Sequence, residues 1–253
     1  MDPCQNRRVL PLRDHLPART VPIINYALIS MSVAGFVLER TALGGGVEPS
    51  DLLEQWGLVP ARLLVDPVVT IETVFTSMFM HDPTNLMHIG GNMLFLWIFG
   101  DNVEAAMGHI RYLAFYLLGG VSAAAAQILV DPTSTIPMVG ASGAISAVLA
   151  AYVFLYPRSP ITVINPIPLL WLFWGIFLYF PAWLVIGEFF VANLWSALAS
   201  TSSQGGVAFV AHVGGFIAGA VLWRTFLAGR PRLDDYGRWQ QWARPSRTRE
   251  RWP

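Results

Sequence analysis

The chain has 253 residues, 54% hydrophobic and 13% charged, with a mean hydropathy of +0.50. A soluble single domain is excluded, because such domains carry about a quarter charged residues and need them to cover their surface. The net charge of zero hides an asymmetry: all 16 basic residues are arginines, and 12 of them precede residue 20 or follow residue 222.

Residues 1–21 form a basic segment with Arg7, Arg8, Arg13 and Arg19, which by the positive-inside rule is expected on the cytoplasmic side. Its Cys4 is the chain's single cysteine, so neither a disulfide framework nor a thiolate metal cluster is expected. The first apolar run, 22–39, is long enough to span a bilayer and ends in Glu39-Arg40 rather than a cleavage site, so it reads as a signal anchor. A long loop, roughly 40–85, follows. There Asp51 and Glu54 are expected to form a capping box on a short helix, with Pro60 and Pro67 as interruptions.

Further spans are expected over 88–107, 111–130, 140–157, 181–199 and 207–227. The stretch 160–180, with Pro166, Pro168, two tryptophans and β-branched residues, reads as interfacial or partly extended. The tail 228–253 carries seven arginines against three acids and suits either anionic headgroups or solvent. Two basic ends on the cytoplasmic side require an even number of spans. The expectation is an all-α polytopic membrane protein with six spans over 22–227, placed in a bacterial inner membrane.

Polar residues at hydrocarbon depth are the informative ones, because each needs a partner or a task. With a cytoplasmic N-terminus, spans 2, 4 and 6 run in the same direction. His88, Asn92, Ser142 and His212 lie in their first two turns and so share one depth. His88 and Asn92 are i and i+4, on one helix face. Ala208, His212, Gly215 and Gly219 form a small-residue stripe that matches Gly143, Ala147 and Ala151, and packing the two stripes would bring Ser142 and His212 together. A serine with an adjacent imidazole is a nucleophile and its base. The helix N-terminus at Ser142 favours a developing oxyanion, to which His88 and Asn92 could donate. No Asp or Glu occurs from 132 to 187 or from 189 to 233, so only a dyad is open. The bland alternatives are a Ser142 bonded back to its own helix and a His88–Asn92 pair that staples helices. Glu188 could be a packing residue, a hydrogen-bond partner or a gate, while His81, Asp82 and Asp101 are expected to be solvated.

Together, His88-xxx-Asn92, the turn with Gly100, Glu104 and Gly108, the Gly140-Ala141-Ser142-Gly143 box and Ala211-His212-xx-Gly215-xxx-Gly219 resemble the rhomboid family of intramembrane serine proteases over roughly 70–225. The resemblance implies a six-helix rhomboid-like bundle with Ser142 as nucleophile, His212 as base, and His88, Asn92 and the Ser142 N–H as oxyanion hole. It implies single-pass membrane proteins as substrates, cleaved in or near their transmembrane segment, with no metal or organic cofactor and no nucleic acid. It also implies a mobile loop before span 6, here 200–206. Two positions depart from well-known members: Ser146 replaces a Tyr one turn after the nucleophile, and the first loop has Gln55-Trp56-Gly57 and Ala61-Arg62 instead of a Trp-Arg pair. The competing expectations are a catalytically silent rhomboid-like protein that escorts transmembrane helices, and a small transporter. The transporter would need matching inverted repeats, which are not visible.

Overall fold

The computed structural model describes residues 11–16, 20–165, 175–199 and 206–227, and in them the apolar runs become helices. The basic tail, the loop 200–205, the middle of the 160–180 stretch and most of the N-terminal segment, Cys4 included, lie outside the described residues. Helix α1, Ile23–Gly44, follows Pro22 and ends at Gly45. Four short helices follow in the long loop: α2 (Pro49–Trp56), α3 (Pro60–Val65), α4 (Pro67–Thr70) and α5 (Thr73–Thr76). Then come α6 (Leu86–Met107), α7 (His109–Val130), α8 (Ser142–Leu155), α9 (Ala182–Ala199) and α10 (Gly206–Phe226).

Among the described residues, three helical segments are long and apolar enough to cross a membrane: Ile23–Gly44, His109–Val130 and Phe209–Phe226. Ser142–Leu155 and Ala182–Trp195 are apolar but shorter. The exterior is itself apolar, with Met31, Val37 and Leu38 on α1, Leu129 on α7 and Val221 on α10 all exposed. In water such a surface would drive association; in lipid it is the favoured one.

Helix α8 is the axis of the structure. Every residue from Gly143 to Tyr152 is buried, as expected of a helix that is apolar all round. Its neighbours reach it through small residues. A Cβ on Gly215 would overlap the Gly143 carbonyl, one on Gly219 the Ala147 carbonyl, and one on Gly119 the Ala147 methyl. The Gly/Ala stripes of α8 and α10 therefore meet backbone to backbone, with α7 on another side, as the sequence pattern predicts.

Several boundaries differ from expectation for local reasons. Pro60 and Pro67 do not interrupt a helix; each begins one, at the first-turn position where proline's missing N–H costs nothing. The short helix near Asp51 exists, but Glu48 is its N-cap and makes no side-chain cap, so the Asp51–Glu54 capping box is not formed. Asn85 supplies the cap on α6 instead, its side chain accepting from the N–H groups of Met87 and His88 at 3.1 and 3.3 Å.

The all-α expectation is also corrected. Strands β1 (Pro11–Asp14), β2 (Pro160–Ile164) and β3 (Phe177–Pro181) form a three-stranded antiparallel sheet in that order. The partly extended reading of 160–180 holds at both described ends, since Pro160 pairs with Pro181 and Ile164 with Phe177. The alternation Ile-Thr-Val-Ile buries Ile161 and Val163, the period-2 signature of a strand with one face on a core. A partner strand about 150 positions earlier in the chain leaves no local signal. It is fixed by Asp14, whose carboxylate accepts from Asn102 Nδ2 at 2.7 Å and Tyr152 OH at 2.8 Å.

Glu104 organises the same end of the bundle. It accepts from the backbone N–H groups of Ile24 and Asn25 at 3.0 and 2.7 Å, so it caps α1 from outside. His109 Nδ1 lies 2.5 Å from it. Gly100 admits the Asn25 side chain and the Tyr112 hydroxyl where any Cβ would collide, and Gly108 makes the α6–α7 turn at φ +80°.

Candidate active site

Opposite the Glu104 end, the long loop is tied to the segment that precedes α8. Leu58 and Met138 exchange backbone hydrogen bonds at 3.0 and 2.8 Å, and Gly140 N–H donates to Ser77 C=O at 2.8 Å. These bonds hold Gly140 at φ +119°, a conformation open to glycine. The next two residues turn the chain into α8, so Ser142 begins a helix whose first N–H groups have no partner within it.

A cavity of 420 Å³ opens there, and its walls include Ser142, His212, His88, Asn92 and Gly140. All four side chains singled out in the sequence thus line one space, at the starting ends of α6, α8 and α10. Glu188 does not line it and sits exposed on α9.

His88 and Asn92 lean over Gly140. A Cβ there would lie 2.8 Å from His88 Nε2 and 3.5 Å from Asn92 Nδ2. His88 Nδ1 accepts from Asp82 N–H at 3.4 Å, which leaves the ring proton on Nε2, the atom nearer Gly140. Asn92 Nδ2 is 3.0 Å from Nε2 of His81. His81 Nδ1–H donates to Phe79 C=O at 3.2 Å, so its Nε2 is the acceptor and the Asn92 amide is turned by it. His81 was expected to be solvated; it is fully buried, and its backbone N–H donates to the Glu39 carboxylate at 3.2 Å. Burial, reinforced by the neighbouring His88, lowers its pKa to about 4, which keeps the ring neutral and able to accept.

Ser146 bonds back to its own helix. It is fully buried and its hydroxyl donates to the Ser142 C=O at 2.8 Å. Residues the sequence reading passed over flank the His212 ring instead. Phe189 lies at 6.0 Å and Phe209 at 6.5 Å between ring centroids, and Asn193 Oδ1 is 2.5 Å from His212 Nδ1. The available signal for Asn193 was its polarity inside an apolar helix, five positions after the Glu188 that drew attention. An amide at that depth needs a partner as much as an acid does.

The fold and site define a helical integral membrane protein with a serine and a histidine in an interior cavity. A family model described as "Rhomboid domain" matches residues 70–229, and this chain belongs to the rhomboid family. Among its relatives, "Rhomboid protein 1, mitochondrial" of Saccharomyces cerevisiae is 26% identical over 227 residues, covering 85% of this chain and 58% of that protein. "RHOMBOID-like protein 12, mitochondrial" of Arabidopsis thaliana is 28% identical over 180 residues, 64% of this chain and 48% of that one. "Rhomboid protease AarA" of Providencia stuartii is 32% identical over 162 residues, 58% and 52%. The chain thus spans about half the length of these relatives. Their division between mitochondrial and bacterial proteins gives the expected bacterial inner membrane no support.

Proposed function

We propose that this chain is an intramembrane serine endopeptidase that cleaves transmembrane segments of membrane proteins with Ser142 as nucleophile and His212 as general base. The observation that carries the reading is that Ser142, His212, His88 and Asn92 all wall one cavity. In this reaction His212 takes the Ser142 proton as Oγ attacks the scissile carbonyl carbon. The carbonyl π pair moves onto oxygen. That oxyanion sits among the Ser142 N–H, His88 Nε2–H and an Asn92 Nδ2–H, at the N-terminus of α8. Collapse of the tetrahedral intermediate breaks the C–N bond, and His212 returns its proton to the leaving amine. Water then repeats the sequence on the acyl ester, releasing the carboxylate and restoring Ser142.

A donor-lined pocket inside an apolar-faced bundle suits a substrate that is itself a membrane segment. The six-span topology belongs to the same reading: α1 and α6 to α10 cross the bilayer with both termini on the cytoplasmic side, by the arginine distribution. A reporter fused to the tail is expected on the cytoplasmic face; a reporter on the other face breaks the six-span count.

The decisive experiment is incubation of the detergent-solubilised protein with a fluorophosphonate probe followed by intact mass. The expected result is one adduct on the wild type and none on Ser142→Ala. An unlabelled wild type, or a Ser142→Ala variant labelled equally, sinks the protease reading and favours a silent escort of transmembrane helices.

A further inference from the structure

We infer that Asn193 is the positioning residue of the Ser142–His212 pair, holding the His212 ring in the tautomer and orientation that make it a base; this rests on the protease reading above. The absence of Asp and Glu near Ser142 in the sequence pointed to a dyad with nothing behind the histidine. The structure places an uncharged acceptor there. Asn193 is 1% exposed, and its Nδ2 donates to the Phe189 C=O one turn earlier on α9 at 2.7 Å. That bond fixes which way the amide faces, and Oδ1 is left 2.5 Å from His212 Nδ1. An amide oxygen can only accept, so Nδ1 must carry the proton and donate. The lone pair a general base needs then resides on Nε2. Phe189, on the same turn of α9, lies tilted by 37° against the ring and limits its rotation. One turn of α9 thus supplies both the hydrogen bond and the aromatic wall that Ser146 does not.

An amide also fits the surroundings better than an acid. A carboxylate buried in an apolar bundle carries a large desolvation cost, whereas an amide with both ends bonded carries little. The exchange sacrifices some stabilisation of the imidazolium but retains its direction. Asparagine fills the same place behind a catalytic histidine on unrelated protease folds.

The competing role is a plain staple between α9 and α10, and three readouts on the full chain in detergent separate the two. In ¹⁵N-histidine NMR, with the His212 signal assigned by its loss in His212→Gln, the wild type should show the Nδ1–H tautomer. Asn193→Leu should show a mixture. Asn193→Leu should also lower kcat on a cleavable transmembrane peptide by about 10–10²-fold with KM within about twofold, a share of what a wrong tautomer costs a full triad. Asn193→Asp, which keeps an acceptor oxygen, should recover most of that rate. A staple predicts instead an unchanged His212 tautomer, or equal losses in the Leu and Asp variants that track melting temperature, and either result overturns the assignment. A labelled wild type whose Asn193→Leu variant labels equally fast sinks the Asn193 assignment alone. A wild type inert to the fluorophosphonate sinks the protease reading, and Asn193's positioning role in catalysis with it, even if the NMR tautomer is as described.

Discussion

Asn92 does not present its amide to the cavity unaided: Nδ2 is held 3.0 Å from Nε2 of the buried His81, a residue from the loop before α6. The donor on one helix is thereby aimed by a ring outside it. Asn92→Ala is expected to lower kcat by up to about 10²-fold, the scale of a lost oxyanion donor. His81→Ala should lower it less, and the double variant should be no worse than Asn92→Ala alone, because both act through one hydrogen bond. Additive losses in kcat would show that His81 acts elsewhere.

Acid should weaken what His81 contributes to stability. The His81 pKa falls from 6.5 to about 4, with burial the main cause and His88 adding to it. The folded protein therefore binds fewer protons there than the unfolded chain does, so stability declines as pH drops from about 6.5 through about 4. Protonation would turn the Nε2 acceptor into a donor facing Asn92. From pH 7 to pH 4 the melting temperature of the wild type should fall relative to that of His81→Gln, a comparison in which the contributions of the other titrating groups cancel.

The opposite sign applies at the other end of the bundle. Burial raises Asp14 from 3.8 to about 7, against the bond from Tyr152 and with the charge of Asp101 adding to the rise. The folded state binds more protons there than the unfolded chain, so this contribution is complete at low pH and is lost as pH rises through about 7. Asp14→Asn keeps an oxygen for Asn102 and Tyr152 and should flatten the pH dependence between about 4 and about 7. Limited proteolysis ahead of α1 is a suitable probe, since β1 is what Asp14 anchors.

Gly215→Ala tests the contact that sets α10 against α8. The added methyl overlaps the Gly143 carbonyl, next to Ser142. Overpacking of this kind costs about 1–3 kcal/mol. It should lower the melting temperature and slow fluorophosphonate labelling of Ser142 together. Gly187→Ala, where a Cβ meets nothing within 4 Å, should leave both unchanged and is the control.

The sequence by itself determined the membrane class, the approximate helix positions, the small-residue faces of α8 and α10, and the four side chains that line the cavity. Each of these follows from a pattern local to one helix, in a chain with so few polar residues that those left inside stand out. Only the tertiary structure decided what holds those side chains. His81 looked solvated because it borders a span, yet α1 and the loop close over it. Asn193 was passed over because a negative charge was sought behind His212, where the structure places an uncharged oxygen. Asp14 and β2 meet across more than 140 residues of sequence, and Ser146 turns its hydroxyl back to its own helix. A hydrogen bond between distant segments depends on where two backbones come to lie, and periodicity within either segment carries no trace of it.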